Sequence, residues 1–379
     1  MELYKHQKDF LEKNPDKALC AMEGNTGKTL IGVEWLRLRQ GNAIVIVPKR
    51  LKRKWKTALG DIQSSIYSKE EWKKTDIKNP SGLLIDECHH HNSPAFTKQR
   101  SQLTTKTYNF IKDNPEMPVL LLTATPISSN PANLHTLLSF IGVHIPWKEW
   151  RNEFYELQYL PYLPRPAWMP KKDWRIKIQK YLLKYAHIAL MKDCMDLPKI
   201  TEETVNVKCD TFHPDESLEP TKRFANEHRN EQKHKLKVIR EIGGDYRKVM
   251  ISVYFREQID ELYKELSKDR KTYVLHGGIQ DQEAVAKDVE MDDECYFICQ
   301  SGCGEGFDAP SFNVLIFASQ SYPYIHFQQM RWRITRGNEL KPKRYIYLVA
   351  GRCDKAIQAQ LEKGKDFDIR YFYDSCRTS

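Results

Sequence analysis

Residues 21–29 read Ala-Met-Glu-Gly-Asn-Thr-Gly-Lys-Thr, and the interpretation of the whole chain turns on them. They follow a short apolar run, Ala18-Leu19-Cys20-Ala21, and open into Leu30-Ile31-Gly32-Val33-Glu34-Trp35-Leu36, whose apolar residues recur at helical spacing. A buried strand, a tight loop and a helix start make a cradle for phosphate. Gly24, Asn25, Thr26 and Gly27 form its body; their N–H groups and the helix N-terminus converge on an anion. Lys28 supplies a point charge for the outer phosphates, and the Thr29 hydroxyl can ligate magnesium. Met22 stands where the full pattern has glycine, so a polar loop before an ordinary helix competes with this reading.

A chain of 379 residues suits two domains of usual size. Hydrophobic residues make up 40%, with 15 Phe, 19 Tyr and 8 Trp, enough for two cores and against disorder as the default. Lys plus Arg exceed Asp plus Glu by 60 to 50, a net charge of +10 that favours a polyanionic partner, although many basic proteins bind none. Nine scattered cysteines and the lack of a signal peptide at the start predict a reduced protein of the cytoplasm or another reducing compartment. No run approaches the ~18 apolar residues of a membrane span, so no membrane partner is expected. Cys295, Cys299 and Cys303 recur every fourth residue, but they divide between a strand-like segment and a glycine-rich turn, which disfavours a metal.

Upstream of the loop, the Gln7 amide both donates and accepts and so can pair with an adenine edge; a surface glutamine on a helix is the plain alternative. Downstream, Asn42-Ala43-Ile44-Val45-Ile46-Val47-Pro48 reads as a buried parallel strand, followed by Lys49, Arg50, Lys52, Arg53, Lys54, Trp55 and Lys56. That basic turn suits phosphate contact or a solvated charge run. Gly82-Leu83-Leu84-Ile85 then runs into Asp86-Glu87-Cys88-His89. An acidic pair ending an apolar strand is what a nucleotide site needs: Asp86 to hold magnesium, and Glu87 to orient and deprotonate the attacking water. His89, His90 and His91 project in different directions and do not suit one metal. Val119-Leu120-Leu121-Leu122 ends in Thr123-Ala124-Thr125-Pro126, whose hydroxyls can bond a neighbouring acidic loop.

Taken in order, Gln7, the Gly24 to Thr29 loop, Val45 to Lys49, Asp86-Glu87-Cys88-His89 and Leu122 to Pro126 resemble the motifs of superfamily 2 helicases. Asn92-Ser93-Pro94, and Ile127 to Asn130 leading to Leu134, Leu137, Leu138 and Phe140, are similar to the Swi/Snf-type double-stranded-DNA translocases within that group. Loops of this superfamily do not require glycine at Met22. Asn25 departs from a common glycine, and a positive φ there would suit asparagine better than most residues.

The resemblance implies an α/β fold of two recombinase-like lobes, parallel sheets flanked by helices, with ATP and Mg2+ in the cleft between them. Lobe one is expected over 1–145, an aromatic and basic insertion with the linker over 146–235, and lobe two over 236–379. Within the middle stretch, Trp147, Trp150, Phe154, Tyr155, Tyr159, Tyr162, Trp168 and Trp174 interleave with cations, and either stack bases or pack on the first lobe. In the second lobe, His276 and Gly277 follow a strand, and Ser301, Gly302, Gly306 and Asp308 are similar to the motif that touches nucleic-acid backbone and nucleotide. Gln329, Arg333 and Arg336 match the family's glutamine and two-arginine spacing, and arginines three apart share one helix face. Trp332 and the early Gly337 depart from the pattern, and a basic surface helix is the plain alternative.

The expected function is ATP-dependent translocation along DNA, duplex or forked and branched, by a chain working as a monomer. Lys28 and Thr29 hold phosphates and metal, Asp86 metal and Glu87 water, while Arg333 and Arg336 supply transition-state charge from the opposite lobe. Lys49, Arg50, Thr125, His276, Gly277, Ser301 and Gly302 are the expected nucleic-acid contacts. An RNA helicase and an inactive nucleic-acid-binding module are the rival readings. The compact size would suit a phage or mobile-element gene, placing the protein in the host cytoplasm.

Overall fold

The computed structural model describes residues 3–93, 101–127, 130–159, 165–210, 215, 217–303, 307–335 and 340–363. Two compact units divide the chain, Met1–Met195 and Asp196–Ser379.

In the first, α1 (Lys5–Lys13) precedes β1 (Lys17–Met22), α2 (Lys28–Arg37), β2 (Ala43–Ile46), α3 (Lys52–Leu59), β3 (Ser64–Tyr67), α4 (Lys69–Lys74) and β4 (Gly82–Asp86). There follow α5 (Gln102–Asp113), β5 (Val119–Thr123), α6 (Ala132–Phe140), α7 (Trp147–Phe154), β6 (Tyr155–Gln158), β7 (Ala167–Pro170), α8 (Trp174–Tyr185), β8 (Ala186–Ala189) and α9 (Met191–Cys194). The strands pair in the order β3-β2-β4-β5-β1-β8, all parallel. Every residue of β2, β4 and β5 is buried, as continuous apolar runs covered on both faces should be.

The aromatic stretch divides between core and surface. Trp150, Phe154, Tyr155 and Trp174 pack into the first core, as the packing alternative expects. Tyr159 and Trp168, in and beside the antiparallel β6–β7 hairpin, are exposed, with Arg151 stacked 4.5 Å over the Trp168 ring. Tyr162 lies outside the described residues.

The second unit holds β9 (Ile200–Asn206), α10 (Pro220–Gly243), β10 (Lys248–Val253), α11 (Arg256–Leu266), β11 (Thr272–Leu275), α12 (Gln282–Met291) and β12 (Cys295–Gln300). It ends with β13 (Val314–Phe317), α13 (Tyr324–Arg331), β14 (Lys343–Val349) and α14 (Arg352–Glu362). Its sheet runs β11-β12-β10-β13-β14-β9, again all parallel. Two recombinase-like parallel sheets flanked by helices are therefore present, as expected.

β8 completes the first sheet and β9 the second, so the chain passes from one unit to the other at 195/196, inside the 146–235 stretch expected to hold the linker. α10 belongs to the second unit, and several of its charged side chains, Glu231 and Lys235 among them, are buried and paired. Lys235 Nζ lies 2.6 Å from Asp354 Oδ2 and 3.1 Å from Glu231 Oε2, all three side chains fully enclosed. His228, Glu231 and Asp354 are the one group of potential metal ligands found among the described residues, and the Lys235 ammonium already supplies a positive charge there. Cys295, Cys299 and Cys303 are buried and form no such group.

Candidate active site

Parallel pairing decides which residues share an edge. β5 lies between β1 and β4, and Leu122 is in register with Cys20 on one side and Asp86 on the other. The phosphate loop after β1, the acidic pair at the end of β4 and Thr123 to Thr125 after β5 therefore leave the sheet together. With strands spaced ~4.8 Å apart, β1 and β4 stand about 10 Å from each other. This carboxyl edge is where open α/β sheets bind ligands.

The loop has the conformation a phosphate cradle requires. Asn25 sits at φ 64°, the left-handed region that asparagine tolerates, and Gly27 at φ 81°. α2 begins at once, with Gly27 as N-cap and no side-chain cap, so its first N–H groups are left for an anion. Thr26 is buried and donates to the Glu23 carbonyl at 2.8 Å, while Lys28 Nζ donates to the Met22 and Glu23 carbonyls at 3.0 Å each.

Gln7 takes a different position from the one its chemistry suggested. Its amide is buried and turned into the loop: Nε2 donates to the Thr26 and Gly27 carbonyls at 3.2 and 3.3 Å, and Oε1 accepts from Tyr4 N at 2.8 Å. In this arrangement it braces the cradle instead of presenting an edge to a base. His6, unnoticed in the sequence, contacts the same Thr26 carbonyl through Nε2 at 2.8 Å.

The acidic pair is held from several sides. Asp86 Oδ2 accepts from Trp55 Nε1 at 2.8 Å and Oδ1 from Glu87 N at 3.0 Å. Burial first, and then the neighbouring Glu87 charge, push the Asp86 carboxyl up to about 6, against the opposing Trp55 bond and Lys28 charge. Glu87 has φ 50° and ψ 51°, costly for a residue with a Cβ and of the kind that clusters at functional sites. Glu87 Oε2 lies 3.3 Å from His89 Nδ1, which also contacts Thr123 Oγ1 at 3.2 Å; Thr123 Oγ1 in turn accepts from Thr125 N at 3.0 Å. The hydroxyl segment thus does bond the acidic loop. His91 points elsewhere, to Thr107 Oγ1 at 2.9 Å, so the three histidines do not converge.

Thr29 and Asp86 offer hard oxygen donors, and the Glu87 carboxylate beside Asp86 raises the latter's proton affinity, a setting a divalent cation would relieve. The residues fit Mg2+. Lys49 is exposed and Arg50 half-buried just beyond β2, at the same sheet edge.

In the second unit, His276 and Gly277 follow β11, and Ser301 and Gly302 follow β12, neighbouring strands in register at Leu275 and Cys299. Gly277 has open space where a Cβ would stand, and Gly302 is exposed, whereas Ser301 is buried. Arg333 is 3% exposed; Nε donates to the Gln329 carbonyl at 2.9 Å and Nη1 to the Phe307 carbonyl at 2.6 Å, with Asp308 Oδ1 at 3.4 Å. Gly306, Arg336 and Gly337 lie outside the described residues.

No protein-family profile and no curated protein sequence matches the chain. Solved structures do. S. cerevisiae Dbp5 bound to RNA and ADP BeF3 aligns at a TM-score of 0.60 and 13% identity, covering 96% of this chain and 88% of that one. The chain shares the fold of that Dbp5 structure, two parallel six-stranded sheets flanked by helices. A Dbp5 variant bound to Gle1 and IP6 aligns at 0.57 and 13% identity, covering 95% and 86%, and the Sulfolobus solfataricus SWI2/SNF2 ATPase core in complex with dsDNA at 0.43 and 13%, covering 96% and 91%.

α13 ends at Arg331, so Arg333 stands two residues beyond the helix, and its expected shared face with Arg336 lies outside the described residues. Its guanidinium turns back onto the helix's last carbonyls, a common use of arginine at a helix C-terminus.

Two further residues shape the site without belonging to any of its motifs. Trp55 was one residue in a basic run, yet it is buried against Asp86. A signal existed: Leu51, Trp55 and Leu59 recur every fourth residue, an apolar stripe through the charges. Gly32 is the second, since a Cβ there would meet Leu84 Cδ1 and Trp55 Cη2 at 2.8 Å.

Proposed function

We propose that the chain is a nucleic-acid-stimulated ATPase that couples ATP hydrolysis to movement along DNA, duplex, forked or branched. The observation that carries this reading is the convergence of three motifs at one sheet edge: the left-handed phosphate loop, the Asp86-Glu87 pair, and the Thr123–Thr125 segment that contacts His89 of the acidic loop. Lys28 and the α2 N-terminus bind the phosphates. Thr29 and Asp86 would hold Mg2+, which offsets phosphate charge when bound. Glu87 orients and deprotonates the attacking water, with His89 Nδ1 3.3 Å from its Oε2.

Charge stabilisation by Arg333 and Arg336, and backbone contacts by Lys49, Arg50, Thr125, His276, Gly277, Ser301 and Gly302, belong to the same proposal. The preference for DNA rests on the Swi/Snf-like residues after Pro126. RNA is the second reading, favoured by the similarity to Dbp5, whose structure contains RNA. The deciding experiment is the ATPase rate with duplex DNA, single-stranded DNA, forked DNA and RNA at matched salt, because backbone binding is strongly salt-dependent. Stimulation greatest with duplex or forked DNA supports the proposal; stimulation by RNA alone replaces it with the second reading. Turnover that no nucleic acid raises leaves an inactive binding module.

A further inference from the structure

Asp86 is held from both sides by protein donors: Glu87 N on Oδ1 and the Trp55 indole on Oδ2, at 3.0 and 2.8 Å. Two bonds on two oxygens fix the carboxylate's rotation as well as its place. Trp55 is itself immobile, 1% exposed on α3 and packed where Gly32 leaves space for its ring. Gly32 belongs to α2, the helix that begins at the phosphate loop, so one indole touches both the loop's helix and the acidic strand.

The donor's chemistry matters. A tryptophan N–H donates one hydrogen bond and carries no charge. It orients the carboxylate without cancelling the negative charge a cation would need, whereas lysine or arginine there would do both.

We propose that Trp55 is a positioning residue for Asp86, and that its indole N–H sets how strongly a divalent cation reinforces nucleotide binding at this site. The inference rests on the ATPase reading above. Fixing a ligand's direction beforehand removes an ordering cost from metal binding, as hydrogen bonds to metal-ligating carboxylates generally do, and loss of such a partner weakens metal affinity by about 10- to 100-fold.

The test compares Trp55→Phe with Trp35→Phe. Trp35 is also fully buried and donates its indole N–H, at 2.9 Å, to the Pro15 carbonyl, away from the acidic pair. Binding of a fluorescent ATP analogue is measured with and without Mg2+. The expected result is that Trp55→Phe loses at least about tenfold of the Mg2+-dependent gain in affinity, while binding without metal and the Trp35→Phe control stay as in the wild type. A full Mg2+-dependent gain in Trp55→Phe overturns the proposal.

A second readout needs no variant at Trp55: the indole N–H resonances of the wild-type protein, followed by 15N NMR. The Trp55 signal should shift when Mg2+ is added to the nucleotide-bound protein, and the Trp35 signal should not. An unmoved Trp55 signal overturns the proposal even if Trp55→Phe fails to fold. Failure of the ATPase reading looks different, because then the wild type itself shows no Mg2+-dependent nucleotide binding and both ideas fall together.

Discussion

Gln7 and Gly27 leave each other no space: a Cβ on Gly27 would stand 2.0 Å from Gln7 Nε2, and that nitrogen already donates to the Gly27 carbonyl. The glycine is required twice, for its φ of 81° and for this contact. Gly27→Ala therefore meets a left-handed backbone penalty of about 1–2 kcal/mol together with a clash. Both Gly27→Ala and Gln7→Ala should weaken ATP binding, the former also lowering thermal stability. Equilibrium nucleotide binding by the two variants checks this, and wild-type affinity in Gln7→Ala would remove the brace from any role in the site.

Glu87 combines a strained backbone with a charge that disfavours its neighbour's ionisation. Glu87→Gln should keep ATP binding and lose nearly all turnover. Glu87→Gly should do the same and in addition raise stability by about 1 kcal/mol, because glycine accepts φ 50° without penalty. Turnover and urea midpoints measured on both variants test the trade-off; a Gln variant that still hydrolyses ATP takes Glu87 out of the reaction.

Lys235 neutralises part of the carboxylate cluster it shares with Glu231 and Asp354. Removing one partner of a buried pair leaves the others uncompensated at a cost of about 3–5 kcal/mol. Lys235→Met should lower the unfolding midpoint of the second lobe by a corresponding amount. A midpoint close to the wild type would mean that the carboxylates take up protons and need no cation.

His91 is buried, and burial brings its pKa down to about 3. The folded state then binds fewer protons than the unfolded state between that value and the ~6.5 of a free histidine. Stability is complete above the unfolded value and falls as the pH drops below it, by up to ~1.4 kcal/mol per pH unit for each such group. Burial lowers His135 and His187, in the same lobe, in the same direction. Denaturant midpoints at pH 7.5 and 5.5 should therefore differ, and less so in His91→Gln. An equal drop in the variant would assign the acid sensitivity to other residues.

Legibility followed burial. β2, β4 and β5 were readable because their sequences are apolar throughout and both faces are covered. Asn25 was readable as well: a positive φ was expected where asparagine replaces a common glycine, and φ is 64°. Most of α10 fell in the stretch expected to hold insertion and linker, 146–235, because burial was inferred from apolarity, while its buried lysine, histidine and glutamates are tolerated only through partners on α14 and each other. Trp55 was hidden in the same way, one aromatic among lysines whose inward direction only helical spacing hinted at.

Alone, the sequence determined the motifs, their order and the local conformations they impose: strand, left-handed loop, helix start and acidic strand end. Those depend on near neighbours, through side-chain size, backbone preference and apolar spacing. Only the tertiary structure decided that β5 separates the phosphate loop from Asp86, that Gln7 turns into the loop, and that Trp55 holds the acid. Those relationships join residues 19 to 102 positions apart. Packing selects them from many partners that composition and periodicity leave equally open.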